Sequence, residues 1–317
     1  MTAPLILTLP SKGRLKEQVE AWLADCGLSL TLAGGARGYL AELGGFPDLQ
    51  VRLLSAADIA AALAAGEAHL GVTGQDLLGE QAGAAERVLT LIPLEFGRAD
   101  LVVAVPQSWL DVEGMADLEE VAHDILARTG RRMRVATKYA LQTRDFLAAH
   151  GVDYRMVLSG GSTEGAPAAG AAEIIVDIAT SGATLAANGL KRLDDGLILR
   201  SQAGLVASLR ADWSAPQRAA AERLLRIVEA RARARATSLL SWSNDLDAAA
   251  DPVVASPIAD GAQRRGPALL LPDGRSLDVA LDLAAAGVSP VSASRPVSIF
   301  HAESPAGARL NRALPII

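Results

Sequence analysis

The stretch EIIVDIATSGATLAANGL, Glu173–Leu190, holds the transition that decides the fold. Its first part, Ile174 to Ile178, is apolar and β-branched, the composition of a buried strand. The run then breaks into Ala179-Thr180-Ser181-Gly182-Ala183-Thr184 and resumes as a helical pattern. A plain N-cap turn would explain the break. A strand ending in a Ser/Thr/Gly loop ahead of a helix also aims several N–H groups and hydroxyls at one place, and the helix start adds positive potential. That is the physics of a phosphate seat. Gly182 lets the backbone come close, and Thr180, Ser181 and Thr184 offer hydroxyls. Glu173 and Asp177 stand four residues apart, so the two-residue period of a strand puts both carboxylates on one face. Beside a phosphate loop they suit the vicinal hydroxyls of a ribose, with or without Mg2+.

Outward from this stretch, strands alternate with helices. LILTLP, LQVRLLS and AHLGVTG read as strands, and RLKEQVEAWLADCG and AADIAAALAAG as helices stopped by Gly27 and Gly66. ADLVVAVP, RMRVATK, DYRMVLS and EIIVDI continue the series, and LILRSQAGLVASL reads as a returning pair of strands. Short Gly-marked joints between such elements imply βαβ units and parallel sheets. The reading is an α/β fold of two lobes with a cleft between them. Residues 1–97 plus 187–212 form one lobe, 98–186 the loop-bearing lobe, and 213–317 a C-terminal helix with a small α+β regulatory or oligomerisation module. In that tail, 214–242 reads as one long helix with Arg231, Arg233 and Arg235 as a solvated stripe or a partner contact, and 244–266 as linker.

Composition narrows the function. Half of the 317 residues are hydrophobic and few are aromatic, so Ala, Val, Leu and Ile must fill the core. The net charge of −6 argues against a general nucleic-acid binder. One cysteine, Cys26, excludes an intramolecular disulfide and a cysteine zinc cluster. His69, His123, His150 and His301 lack metal-ligand spacing and read as structural or surface residues. The N-terminus reads as a first strand rather than a signal peptide, and no stretch approaches the roughly 20 apolar residues of a membrane span. A cytoplasmic protein is expected.

VDIATSGATLAANGL resembles the phosphoribosyl-pyrophosphate (PRPP) loop of the ATP phosphoribosyltransferase family, which opens histidine biosynthesis. LTLPSKGRL, LLSAADIAAALAAGEAHLGVTGQDLLGE, RVATKY and LSGGSTEGAPAAGAAEIIVDI match further blocks in the family's order, covering residue 5 to about 210. The resemblance implies a two-lobed core like type II periplasmic binding proteins. It implies a glycosyltransferase in which N1 of the ATP adenine attacks C1 of PRPP and pyrophosphate leaves, with Mg2+ accompanying the phosphates. PRPP would be held by Asp177, Ala179, Thr180, Ser181, Gly182, Ala183 and Thr184. Glu173, Asp177 and Glu164 would be the catalytic carboxylates, and Lys12, Gly13, Arg14, Arg37 and Asp76 the ATP contacts. No protein ligand is assigned to the metal.

Blander roles stand beside several of these. Lys12 and Arg14 read also as a solvated helix start, Asp76 as a helix cap, Arg37 as a loop arginine, and Lys138 and Tyr139 as hinge residues. The chain departs from the family where Ser55 replaces an arginine associated with PRPP phosphates and Ala60 replaces a proline. Arg52 lies three residues earlier on the strand and faces the other way, so either Lys12, Arg14, Arg37 or Arg98 supplies the charge or PRPP is bound differently. The family's long form ends in an ACT-like domain that binds histidine as feedback inhibitor. Its short form pairs with a histidyl-tRNA-synthetase-like regulatory subunit. A homo-oligomer is expected in either form. The competing readings are a cytoplasmic small-molecule-binding sensor and a catalytically inactive regulatory paralogue of the same shape.

Overall fold

Leu5, Leu7 and Leu9 are buried in β1 (Leu5–Pro10), the middle of a first sheet. In chain order there follow α1 (Gly13–Asp25), the antiparallel pair β2 (Leu30–Ala33) and β3 (Leu40–Leu43), β4 (Leu49–Leu54), α2 (Ala56–Ala65), β5 (Leu70–Gly74), α3 (Gln75–Gly79), α4 (Ala84–Arg87) and β6 (Val88–Pro93). A second sheet takes β7 (Ala99–Pro106), β8 (Met133–Thr137), β9 (Tyr154–Leu158), β10 (Ile174–Ala179) and β11 (Leu190–Ser201). Between these strands lie α5 (Met115–Thr129), α6 (Ala140–Ala149) and α7 (Ala183–Ala187). β12 (Ala203–Ser208) returns to the first sheet. The computed structural model describes residues 3–33, 39–159, 162–272 and 274–315.

The sheet orders are β2-β3-β4-β1-β5-β12-β6 and β11-β7-β10-β8-β9. β4-β1-β5 and β10-β8-β9 pair in parallel, with antiparallel strands on the flanks. Residues 94–98 and Gln202 are the two crossings between the lobes. This is the two-lobed, type II periplasmic-binding-protein plan. The lobe border expected at residue 187 is displaced. β11 stays in the second sheet along β7, because Leu190 and Leu193 enter that lobe's two apolar layers, and the chain crosses only after Ser201. Both faces of the second sheet are covered. Ile174 and Val176 pack with Met115, Leu118 and Leu147, and Ile175 packs with Leu185 and Ala172 on the other side. A strand buried on both faces has a continuous apolar run, which is why β10 is so plain in the sequence.

A second compact unit comprises Ala24–Leu28 and Arg218–Asn311. It carries most of α8 (Ala215–Arg235), then β13 (Thr237–Ser241), α9 (Asp247–Ala259), β14 (Gln263–Arg264), β15 (Ala268–Pro272), α10 (Ser276–Ala285), β16 (Ser292–Ser294) and α11 (Pro305–Ala313). The βαββαβ succession in the sheet order β14-β15-β13-β16 is ferredoxin-like. Two expectations are corrected here. The long helix stops at Arg235, and 237–241 is a strand. The supposed linker contains α9, which runs through Pro252 and Pro257 because Ala250 and Val254 pack with Leu240, Leu269 and Leu283, and Pro257 is itself buried. Tertiary burial overrides the breaker signal. The arginines of the stripe are paired within the chain. Arg231 and Arg235 both pair with Asp25, at 2.7 and 2.8 Å, and Arg233 approaches Glu229 at 3.5 Å. Burial pushes the thiol of neighbouring Cys26 up to about 11, so it is not a reactive thiolate at neutral pH.

Candidate active site

A cavity of about 410 Å³ opens where the lobes meet, lined by Arg14, Gly74 and Asp76 from the first lobe, Glu95 and Arg98 from the first crossing, and Thr180 from the second lobe. It lies at the C-terminal ends of β5 and β10, where open α/β sheets place their ligands. A larger hollow of about 680 Å³ runs beside β2 and β3, but Glu42 is the sole charged residue of its described lining. No cation is among its described lining residues.

The loop after β10 has the shape that its sequence suggests. The strand ends at Ala179 and the next helix starts at Ala183. Thr180, Ser181 and Thr184 are exposed. Gly182 takes the left-handed conformation, φ 74°, with open space where a Cβ would stand. Glycine is therefore needed for the backbone turn, not to clear a wall of the protein. α7 is only five residues long. So short a helix sums few peptide dipoles, and the loop's amides and hydroxyls must do what its sequence assigned partly to a helix start.

Asp177 lies two residues before the end of β10 with 4% of its surface exposed, and its Oδ1 accepts from Ile178 N at 2.8 Å. Burial pushes its carboxyl above the usual range, although Lys138 pulls the other way. Fully buried Thr163 adjoins it. Glu164 is half-buried and accepts from Ser162 Oγ at 2.8 Å. Its own backbone amide and Ser162 hold its carboxyl low, with Lys138 adding to that effect. Two carboxyls near one lysine are thus displaced in opposite directions, a pattern that separates protonation roles.

Glu173 is not part of this group. It precedes β10 and forms a bidentate pair with Arg134, 2.6 Å at the closest, while also accepting from Arg134 N. Burial alone would raise its carboxyl, but the Arg134 bonds outweigh that and hold it low. The parity argument is right about the face and wrong about the place. Four residues at about 3.3 Å each put Glu173 roughly 13 Å from Asp177, at the other end of the strand.

The first-lobe residues divide. Lys12, Gly13 and Arg14 are exposed at the start of α1, and Arg14 lines the cavity. Arg37 lies outside the described residues. Asp76 lines the cavity but is committed to the protein. Ser201 Oγ donates to Oδ1 at 2.6 Å and Tyr139 Oη donates to Oδ2 at 3.1 Å. It makes no cap bond in α3, so neither of its two earlier readings describes it fully. Ser55 is the N-cap of α2, accepting from Asp58 N at 3.2 Å. Arg98 lines the cavity, while Arg52 Nε donates to Gln50 at 3.2 Å. Ser201 and Glu95 belong to no motif, Tyr139 and Thr163 lie in the blocks RVATKY and LSGGSTEGAP without a site role of their own there, and the folded topology supplies the partners of Ser201, Tyr139 and Thr163. His69 is structural. Ile6 N donates to Nδ1, so Nε2 carries the proton donated to Asp212 O.

The comparisons agree with this architecture. The family model of HisG, ATP phosphoribosyltransferase, matches residues 55–230. An ATP phosphoribosyltransferase of Caulobacter vibrioides is 59% identical over 306 residues, 96% of either chain. One from Rhodopseudomonas palustris strain BisB18 is 57% identical over 236 residues, 74% of this chain and 73% of the relative. Among solved structures, a chain of the ATP phosphoribosyl transferase (HisG:HisZ) complex from Thermotoga maritima superposes with a TM-score of 0.56 at 25% identity, covering 71% of this chain and 96% of that one. The two-lobed fold, the loop after β10 and a match across the whole length place this chain in the ATP phosphoribosyltransferase family.

Proposed function

We propose that this protein joins ATP to PRPP, forming phosphoribosyl-ATP and pyrophosphate at the start of histidine biosynthesis, and that the cavity between the lobes is where it does so. The observation that carries the site is the meeting of Arg14, Arg98 and the hydroxyl loop at one cleft. The loop from Ala179 to Thr184 seats the 5-phosphate of PRPP. Asp177 faces the ribose, and its charge balances the cationic character that grows at C1 as pyrophosphate departs. Glu164, close enough for its charge to act on Asp177, would face the same substrate. Arg14 and Arg98, with Lys12 and Gly13 beside them, take the ATP phosphates and the leaving pyrophosphate, and so replace the arginine absent at Ser55. Adenine N1 is already a nucleophile, so the protein's task is to hold it in line with C1 and shut out water.

Among the described residues no group of three or more His, Cys, Asp or Glu could cage a metal. Mg2+ keeps waters and binds through substrate phosphates with one or two carboxylates, so it needs no such cage. Asp177 or Glu164 would supply such a carboxylate, and the ion would neutralise charge on the departing pyrophosphate.

The ferredoxin-like unit supports the long-form reading, with histidine as feedback inhibitor bound by the tail. The enzyme would then be a cytoplasmic homo-oligomer. No helix among the described residues is long and apolar enough to cross a membrane. Dependence on a histidyl-tRNA-synthetase-like subunit is the second reading, favoured by the Thermotoga relative, a chain from a complex.

Titration calorimetry with PRPP tests the site. Gly182→Val forces a β-branched residue into the left-handed region, at roughly 1–2 kcal/mol or more. Together with Thr184→Ala it should weaken PRPP binding at least tenfold and leave ATP binding largely intact. Unchanged PRPP affinity in both variants would refute the assignment of the loop.

A further inference from the structure

Helix α6 begins without a cap of its own. Tyr139, at its N-cap position, makes no side-chain hydrogen bond to the first turn. The amides of Leu141 and Gln142 instead donate to Glu80, at 2.9 Å to Oε2 and 3.0 Å to Oε1. These are the second and third helical N–H groups, the ones an N-cap side chain ordinarily satisfies. Glu80 is not a neighbour in sequence. It closes α3 in the first lobe, whereas α6 belongs to the second.

Other bonds converge on the same joint. Gln142 Nε2 donates to Asp76 O at 2.8 Å and to Glu80 Oε1 at 3.3 Å. Tyr139 and Ser201 donate to the two oxygens of Asp76. Gln75 N donates to Gln202 O, at the second crossing, at 3.2 Å. Gly79 permits the close approach, since a Cβ there would lie 2.8 Å from Cδ of Gln142.

We infer that Glu80 is a positioning residue that sets the width of the substrate cleft by capping a helix of the opposite lobe. Two crossing segments alone make a hinge, and a hinge can turn. A carboxylate that takes two amides of a helix start is a charge-assisted, directional contact, held only while the lobes keep one separation. Opening the joint strands both amides and frees the carboxylate. The bracket therefore biases the lobes toward the arrangement in which Arg14 and Thr180 share a cavity. The structural part of this inference stands by itself, and only its kinetic consequence rests on the reading of the cleft as the ATP and PRPP site.

Spin labels at Ala61→Cys on α2 and Glu120→Cys on α5, both exposed, in a Cys26→Ser background, report the distance between the lobes. Glu80→Ala should broaden the distance distribution, and Glu80→Gln, which keeps one acceptor, should restore part of it. Adding Ala140→Asp to Glu80→Ala returns a carboxylate to the first turn of α6 from within its own lobe. That double variant should recover the melting temperature but not the narrow distribution. The KM values for ATP and PRPP should stay raised, roughly three- to tenfold as for a lost cap, with kcat changed less. An unchanged distribution in Glu80→Ala overturns the inference, and so does full recovery of the distribution by Ala140→Asp. The distance needs no turnover. A chain inactive toward ATP and PRPP that still broadens would overturn the catalytic reading and leave the bracket standing.

Discussion

In the proposed site, Asp177 would trade stability for chemistry. Its carboxyl is buried and pushed above the usual range, so the ionised group disfavours the folded state at neutral pH. The linkage has a definite sign. The deficit is fully present above the folded pKa and disappears as pH falls below the unfolded one. Asp177→Asn should therefore melt at the same or a higher temperature than the wild type at pH 7, with that gap closing in acid, while turnover falls by about two orders of magnitude. Calorimetric melts beside a steady-state assay check both halves. A variant that unfolds, or one that turns over normally, contradicts the role. Residue identity was legible here, since an acid inside an apolar run ahead of a hydroxyl loop invites a functional reading. Position was less so. Parity along the strand holds Glu173 and Asp177 on one face, but a strand has two ends, and only β8 shows that Arg134 waits at the far one.

At the scale of elements, Glu173 is a brace between β8 and β10. Its carboxyl is held low by Arg134, so its contribution is present above the unfolded pKa and is lost as pH falls through the folded one. Glu173→Gln should lower the melting temperature at pH 7, leave turnover within about twofold, and lose its difference from the wild type as pH falls through the lowered pKa of the folded state. A large loss of turnover would restore Glu173 to the catalytic group. Ser55 makes the same point for α2. It stands where the family has a phosphate-associated arginine, yet it closes the helix start. Ser55→Ala should cost about 1 kcal/mol in a denaturant melt without altering PRPP affinity. The elements themselves were legible where periodicity was strong, as in β1, β4, α2 and β10. They were obscure in the tail. There Pro252 and Pro257 look like breakers, and β14 and β16 are two and three residues long, too short to carry a pattern.

For the molecule as a whole, alternation of strands and helices announces two α/β lobes, because each strand needs both faces covered and each helix supplies a cover. The crossings are harder to read. β11 and β12 are separated by Gln202 alone, and nothing local says that one strand stays in the second sheet while the next returns to the first. The cleft inherits that difficulty, since its walls come from segments far apart in sequence and its joint from Asp76, Glu80, Tyr139 and Ser201. The second unit has an anchor of its own in Asp25, whose carboxyl Arg231 chiefly draws down to about 2, with Arg235 assisting and burial opposing. Asp25→Asn should lower its melting temperature by about 2–4 °C at pH 7, and the difference should fade as pH approaches 2. A melt unchanged at pH 7 would show that the pair is ornamental.

The central claim, an enzyme working at the cleft between the lobes, meets its most direct test in one assay. The purified chain is mixed with ATP, PRPP, Mg2+ and pyrophosphatase, and phosphoribosyl-ATP is followed by absorbance, with and without histidine and with and without a histidyl-tRNA-synthetase-like subunit. Formation of phosphoribosyl-ATP that falls about a hundredfold in Asp177→Asn is the predicted result. No product from the folded, substrate-saturated chain, alone or with that subunit, would contradict the account.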